Sequence, residues 1–353
     1  MAFAVVTKLK NAKRVLDYLH EHDLLDRRFQ FKKTENEIAF PSTTIVKIAN
    51  STCETVDDNY FASTTKPKTL RDLLSAVLST EQLEKLKTAY DQVGTIAILE
   101  IDDELRDREI EIANALLQTN PSICTVLRKD GSHSGPYRTQ RMKFLAGIDT
   151  RETTHIENGV RMRIDVEQVY FSPRLSTERE RIAKHVKPDE NVMVFFSGAA
   201  PYCAIIAKKT AAKIIVAIEI NPIAHKFAQE TIQLNKLKNV HLFCGDVHKI
   251  LPLLSDKKQF AHLAQVLPRT YNRIIMNLPK SAHEFLDDAL SISKSGTIIH
   301  YYDFLHEDEF DTAVERIDAA CKKHSLNYAI QGIHTCGAQG VRTYRICVDV
   351  KII

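Results

Sequence analysis

Four short stretches carry side chains suited to holding an adenosine-containing cofactor, and each follows an apolar, β-branched run. Val192–Phe196 leads into the small-residue turn Ser197-Gly198-Ala199-Ala200-Pro201. Ile214–Ile218 leads into Glu219, Val240–Cys244 into Gly245-Asp246, and Arg273–Met276 into Asn277-Leu278-Pro279. Small residues let backbone N–H groups approach a ligand closely. An acid at the end of the next strand can accept hydrogen bonds from both ribose hydroxyls. Gly198 and Glu219 stand 21 residues apart, the span of one strand–helix–strand unit. A dinucleotide site usually has three glycines in G-x-G-x-x-G. This turn has one, which tilts the reading from NAD towards S-adenosylmethionine. Glu219 would then hold the ribose, Asp246 the adenine amino group, and Asn277 the methionine end or a substrate base. Taken singly, a strand-end acid is more often a helix cap or turn former. Four candidates at consecutive strand ends are what distinguish this pattern.

The elements that must position these residues alternate strand and helix from Val192 onward. Tyr202–Lys209 is helix-compatible, and Asn221-Pro222 reads as an N-cap with a first-turn proline. Ile223, Phe227, Thr231 and Leu234 give the following helix an apolar face. Residues 256–271 read as a helical or looped insertion. His283–Ser291 reads as a helix, Gly296–Tyr302 as a strand, Glu307–Lys323 as a helix, and Tyr328–Thr335 with Thr343–Lys351 as a closing antiparallel pair. Just upstream, Thr177-x-x-Glu180 matches a capping box, so a helix is expected from near Glu178 to about His185.

Earlier in the chain, residues 1 to about 60 read as a small α/β unit. Its elements are a strand at Ala2–Thr7, an amphipathic helix at Asn11–His22 and a hairpin of Phe29–Phe31 with Glu37–Phe40. Basic residues gather at 8–14 (KLKNAKR) and 27–33 (RRFQFKK). They read as solvated faces or as phosphate contacts on RNA. Ser51–Pro67, polar and aperiodic, reads as a linker. Thr69–Tyr90 has helical periodicity, with a capped restart at Ser79–Gln82. Strands are expected at Val93–Glu100, Ile123–Arg128, Arg141–Leu145, His155–Glu157 and Val160–Val166, with a helix over Glu104–Gln118 and a hairpin turn at Asn158-Gly159.

A chain of 353 residues is longer than a typical domain, so two or three are expected. The net charge of +3 allows a nucleic-acid partner without demanding one. No run approaches the roughly 20 apolar residues of a membrane helix, and the N-terminal MAFAVVTKLK lacks the order of a signal peptide. The seven cysteines (53, 124, 203, 244, 321, 336 and 347) lack a C-x-x-C pair. They read as buried thiols in a reducing cytoplasm, with no metal site.

The segments SPRLSTERERI (172–182), AIEINP (217–222), GD (245–246), NLPKSAHEFL (277–286) and IIHYYDF (298–304) together resemble the archaeal–eukaryotic tRNA guanosine-37 N1-methyltransferase family. The resemblance covers most of the chain and is strongest from about 130 to 353. It implies an α/β fold: a class I, Rossmann-like methyltransferase domain with a mixed, mostly parallel sheet over 172–353. It further implies a small N-terminal α/β domain over 1–62 that reads the tRNA outer corner. A middle α+β domain over 63–171 would grip the anticodon stem-loop together with the methyltransferase domain. The implied cofactor is S-adenosylmethionine and the implied partner tRNA, for a protein expected to be a cytoplasmic monomer without membrane or metal.

Residue by residue, the resemblance puts the general base on Glu178, the O6-stabilising arginine on Arg138, and the NLP asparagine and proline on Asn277 and Pro279. Cofactor contacts fall on Tyr170, Arg174, Phe196, Gly198, Ala200, Glu219, Ile220, Asp246, Val247 and Asn277. Where the family reads D-x-F-A-G-V-G-P-F, this chain has Val194 for the acid and Ala200 for the second glycine. The Ala200 methyl is expected to crowd the cofactor. Two other readings stand beside methylation of guanosine N1. One is a wyosine-pathway reaction on the same nucleoside, either carbon methylation of the tricyclic base or aminocarboxypropyl transfer. The other is a non-catalytic tRNA-binding protein with a decayed cofactor site.

Overall fold

The structure is a computed structural model that describes residues 2–57, 59–62, 69–255 and 267–353. It divides into two compact units, Met1–Ala76 and Val77–Ile353. Most of the expected insertion at 256–271, and residues 58 and 63–68 of the expected linker, lie outside the described residues.

In the first unit, β1 (Ala2–Lys8), β2 (Lys32–Lys33), β3 (Glu37–Ser42) and β4 (Ser51–Val56) form an antiparallel sheet in the order β2-β3-β1-β4. Helix α1 (Ala12–Glu21) buries Val15 and Leu19 against Val5 and Phe40. The start of the expected linker is therefore β4, paired with β1 along its whole length. Its polar residues belong to an edge strand, where alternate side chains face water. The hairpin partner of β3 is Lys32–Lys33 rather than Phe29–Phe31. The helical periodicity over Thr69–Tyr90, with its capped restart, is two short helices. Thr69 and Asp72 form a capping box at α2 (Leu70–Leu74), and Ser79 and Gln82 form another at α3 (Thr80–Lys85) in the second unit. The basic stretches 8–14 and 27–33 place their lysines and arginines at the surface.

The second unit opens with a four-stranded sheet: β5 (Asp91–Val93), β6 (Ile96–Leu99), β7 (Thr125–Lys129) and β8 (Met142–Gly147), with α4 (Glu109–Thr119) packed on β7 and β8. The single strand expected at 93–100 is a hairpin instead, because Gly94 turns the chain with φ 55°. The β9 (Glu152–Glu157) and β10 (Val160–Asp165) hairpin turns at Asn158-Gly159, both with positive φ, as a two-residue turn that follows strand twist requires.

The second sheet has seven strands: β11 (Asn191–Phe195), β12 (Ile214–Glu219), β13 (Val240–Cys244), β14 (Arg273–Met276), β15 (Ile298–His306), β16 (Tyr328–Gly340) and β17 (Thr343–Ile352). Its order is β13-β12-β11-β14-β15-β17-β16, parallel except for the antiparallel pairing of β17 with β15 and β16. Strand β11 is buried on both faces. Val192 and Val194 join one core with α5 (Ser176–His185), α6 (Pro201–Lys209) and α7 (Pro222–Leu234). Met193 and Phe195 join the opposite core with α8 (Val247–Ser255), α9 (Leu286–Ser291) and α10 (Phe310–Lys323). A parallel sheet covered on both faces needs such continuous apolar runs. The first of these cores also includes Ile96, Leu127, Val160 and Met162, so it runs on into the β5–β10 region.

Two helices differ from expectation, one at its start and one in its buried face. Helix α5 begins at Ser176, after a 3-10 turn over Pro173–Leu175, and has no side-chain cap, so the Thr177–Glu180 capping box does not form. Helix α7 is capped as expected, with the Asn221 side chain accepting from Ile223 and Ala224 N–H. Its buried face, however, is Ala224, Phe227, Ala228, Thr231 and Ile232, which leaves Ile223 and Leu234 exposed.

A buried ion pair fixes α5 to β9. The Arg179 guanidinium donates to both Glu157 oxygens at 2.7 and 2.6 Å. Burial alone would raise the Glu157 pKa, but Arg179 and His155 reverse that and bring it to about 2. An unfolded glutamate titrates near 4.3, so the pair's stabilisation is present above that pH and is lost as pH falls towards 2. Glu157→Gln should therefore lower Tm at neutral pH. In thermal melts at stepped pH, the gap to the wild type should close between about pH 4 and about pH 2.

Candidate active site

In a doubly wound sheet the ligand crevice lies outside the carboxyl ends of the strands, where the strand order reverses. Here that point falls between β11 and β14. The turn after β11 alternates through left-handed backbone: Phe196, Gly198 and Ala200 have φ of 59, 56 and 63°. Gly198 N–H donates to Glu219 Oε2 at 2.6 Å, and Asn221 N–H donates to Oε1 at 2.8 Å. The turn and the end of β12 are thereby locked together. Burial raises the Glu219 pKa, against these backbone donors. A Cβ added to Gly198 would sit 3.6 Å from the Tyr170 carbonyl oxygen, so the segment before α5 lies against this turn.

The substitutions in the turn have a different consequence from the one expected. Ala200 is fully buried in the core with Ala199 and Tyr202, and Val194 is fully buried on the same face of the sheet. The Ala200 methyl thus fills core space and does not crowd the crevice. Its cost is the left-handed backbone, about 1–2 kcal/mol for a residue with a Cβ.

The other cofactor candidates divide. Ile220, beside Glu219, is an exposed apolar side chain. Gly245 N–H donates to the Glu219 carbonyl, and Asp246 Oδ1 accepts from His248 N–H at the start of α8. Val247, expected at the cofactor, turns its side chain into the core. Phe196 meets Phe285 edge to face at 4.7 Å. Arg174, also expected at the cofactor, is instead held by Asp91 of β5 at 2.7 and 3.1 Å.

Beyond β14, the NLP segment meets the middle of the chain. Arg138, itself at φ 51°, donates from Nη2 to the Pro279 carbonyl at 2.9 Å. Burial, together with nearby Arg345, lowers the Arg138 pKa. Asn277 Oδ1 is buried and has no hydrogen-bond partner among the described residues. Such an atom costs free energy unless a ligand or water meets it. This acceptor therefore fits a polar ligand that brings a hydrogen-bond donor. A cavity of about 1020 Å³ opens beside this contact, lined among others by Arg138, His133, Tyr170, Arg174, Lys280 and Arg345. Three wall carboxylates are already paired: Asp91 with Arg174, Glu100 with Lys129 and Asp102 with Lys87.

Glu178 does not line that cavity. Its carboxylate is buried and accepts from Arg181 Nε and Nη2 at 2.7 and 2.9 Å and from Tyr302 Oη at 2.5 Å. Cys336 does line the cavity, and Glu178 helps burial to raise its thiol pKa, so the carboxylate lies one thiol behind the cavity wall. Behind Glu178 a buried polar chain continues. Arg181 also binds Asp349, His300 Nδ1 meets Asp349 at 2.6 Å, and Arg273 joins His300 to Glu190. His300, Cys347 and Asp349 offer ligand atoms within 4.8 Å of one another. Two guanidinium groups already border that cluster, so positive charge is supplied there without a metal. All seven cysteines are free, but Cys124 and Cys244 are exposed, contrary to the expectation that all are buried.

Sequence reasoning did not single out Arg181, Tyr302, Cys336 or Arg345. The one available signal was a polar residue inside a strand whose neighbours are apolar, as at Tyr302 in IIHYYDF and Arg345 in YRICV.

Residues 153–329 match the TRM5/TYW2 methyltransferase domain, and residues 70–150 match the TYW2 N-terminal domain. The chain is 34% identical to a tRNA (guanine(37)-N(1))-methyltransferase, Trm5b, of Pyrococcus abyssi, covering 100% of this chain and 99% of that protein. It is also 34% identical, over 69% of this chain and 80% of the relative, to a tRNA(Phe) (4-demethylwyosine(37)-C(7)) aminocarboxypropyltransferase of Pyrococcus horikoshii. Among solved structures, the complex of aTrm5 with tRNALeu superposes with a TM-score of 0.75 at 29% identity, covering 99% of this chain and 100% of that one. The expected class I α/β fold with a mostly parallel sheet is the observed one.

Ala200→Gly tests the turn. Relief of left-handed strain and loss of a buried methyl, each about 1 kcal/mol, nearly cancel. Stability should change by less than about 1 kcal/mol, and calorimetry with S-adenosylmethionine should show unchanged affinity. A marked gain in affinity would restore the crowding expectation.

Proposed function

This chain belongs to the TRM5/TYW2 methyltransferase family, and we propose that it transfers a methyl group from S-adenosylmethionine to N1 of guanosine 37 in tRNA. The observation that carries the reading is the unpartnered, buried Asn277 Oδ1 next to the Arg138–Pro279 hydrogen bond. Both stand at the carboxyl end of β14, where the sheet reverses. Whole-length similarity to the named methyltransferase supports the same reaction.

The Gly198 turn, Glu219, Ile220 and Asp246 would hold the adenosine half of the cofactor, with Phe196 flanking it and Asn277 at its far end or on the base. The cofactor, when bound, supplies an already activated methyl group, so positioning accounts for much of the remaining acceleration. Guanine N1 is a poor nucleophile until it loses its proton, and the charge then spreads to O6. Arg138, partly desolvated and anchored through Pro279, meets that charge as a fixed cation. Tyr170 and the NLP backbone receive the base once it leaves its stack. Glu178 is the proton acceptor, and to act it turns from Arg181 past Cys336 into the cavity.

The second unit would grip the anticodon stem-loop, and the first, with its surface lysines and arginines at 8–14 and 27–33, would read the outer corner. The free cysteines suit a reducing cytoplasm. Aminocarboxypropyl transfer is the second reading, favoured by the match to the TYW2 N-terminal domain. It is the weaker one, because the relative named for it covers 69% of this chain against 100% for the methyltransferase.

Unmodified tRNA transcripts carrying G or A at position 37 decide the substrate. Nucleoside mass spectrometry should find one added methyl on the G37 transcript and none on the A37 transcript. Equal methylation of both, or addition of the larger chain, overturns the proposal. Glu178→Gln should slow single-turnover methylation by roughly 10²–10⁴-fold while tRNA binding persists. A normal rate in that variant removes Glu178 as the base.

A further inference from the structure

Arg345, on the closing strand β17, lines the cavity and carries a donor that nothing among the described residues satisfies. The residue is 8% exposed, yet its Nε–H has no hydrogen-bond partner among the described residues. The guanidinium is not free to turn and find one. Its face lies 4.9 Å over the Phe304 ring, and Nη2 donates to Tyr170 Oη at 2.7 Å. Phe304 is also its cross-strand neighbour, so the β15–β17 register sets the stack. Arg138 lies close enough for the two cations to disfavour each other. Among the described residues, neither arginine forms an ion pair.

A buried guanidinium and a half-buried one that share one cavity, where the three wall carboxylates are already paired with other cations, are electrostatically costly unless an anion joins them. Nucleobase carbonyls are neutral and do not balance two such charges, whereas a phosphodiester carries a full negative charge and accepts from the edge of a guanidinium.

We propose that Arg345 is the seat for a phosphodiester adjoining the target nucleotide, so that the backbone is held at β17 while the base reaches Arg138 and the NLP segment. The proposal rests on the tRNA reading above and adds to it a binding residue and the group bound. Phosphate contacts of this kind fix register rather than sequence. Tyr170 then has two tasks: it bounds the base pocket and orients Arg345 through its hydroxyl.

The experiment uses the full chain and tRNA with a methylphosphonate at the phosphate on either side of nucleotide 37. Neutralising one of the two phosphates should weaken wild-type binding by about tenfold, as loss of a charged hydrogen bond does. No loss at either phosphate overturns the proposal and needs no variant to fold. Arg345→Met should weaken binding of unmodified tRNA by a similar factor and make the salt dependence shallower by about 0.7–0.9 in log–log slope. It should add little to the loss already caused by the sensitive methylphosphonate. Arg345→Lys, which keeps the charge without the Nε donor, should fall between wild type and Arg345→Met. Additive losses overturn the assignment. So does a variant that loses S-adenosylmethionine affinity but keeps tRNA affinity, because the anion would then be the cofactor's carboxylate. If the wild type binds tRNA in a phosphate-sensitive way yet leaves G37 unmethylated, the functional reading fails while the phosphate seat stands.

Discussion

Everything at this site follows from the reversal of strand order between β11 and β14. Helices α6 and α7 pack on one face of the sheet and α8 to α10 on the other, so no crossover covers the carboxyl ends at the reversal. The chain must leave β11 there through a tight turn, and small side chains with left-handed backbone make that turn. Glu219 at the end of the neighbouring strand ties the turn down by accepting Gly198 N–H. The same constraint brings Asn277 to the crevice, because β14 is the other strand at the reversal.

Positive charge is managed differently on the two sides of Glu178. Behind it, Arg181 and Arg273 are neutralised by Glu178, Asp349 and Glu190 in a buried chain that runs from α5 through β17, β15 and β14 to Glu190. Asp349 is held far below the usual carboxylate range by His300 and Arg181, despite its burial. In front, Arg138 and Arg345 line the cavity, and among the described residues neither is paired with a carboxylate. One set rigidifies the fold and the other leaves charge available to a ligand. A buried pair is a weak source of net stability but a strong penalty when broken, which suits the first set to fixing where α5 lies. Helix α5 also carries Arg179, whose pairing with Glu157 holds it to the β9–β10 hairpin. That single helix therefore links the β5–β10 region to the large sheet, and both share a continuous core.

Much of this was legible in the amino-acid order. The strand-end series Gly198, Glu219, Asp246 and Asn277 could be read because each of its strands is a short apolar run, and the chemistry follows each run directly. Asn221 could be read as a cap because capping is local. Other readings failed for reasons that are also physical. Ser51–Val56 is polar because it is an edge strand, and composition alone does not separate an edge from a linker. Val93–Glu100 read as one strand because a glycine turn of two residues interrupts the apolar run only briefly.

The sequence by itself determined the alternation of strand and helix, the membership of the strand-end set and the family resemblance, all of which depend on residues near one another in the chain. Tertiary structure decided what those side chains face. It turned Ala200 and Val247 into the core, gave Arg174 to Asp91 and clamped Glu178 against Arg181 and Tyr302. It also brought Arg345 to Tyr170 across 175 positions. Hydrogen bonds and burial at such separations depend on register and packing, which no local pattern encodes.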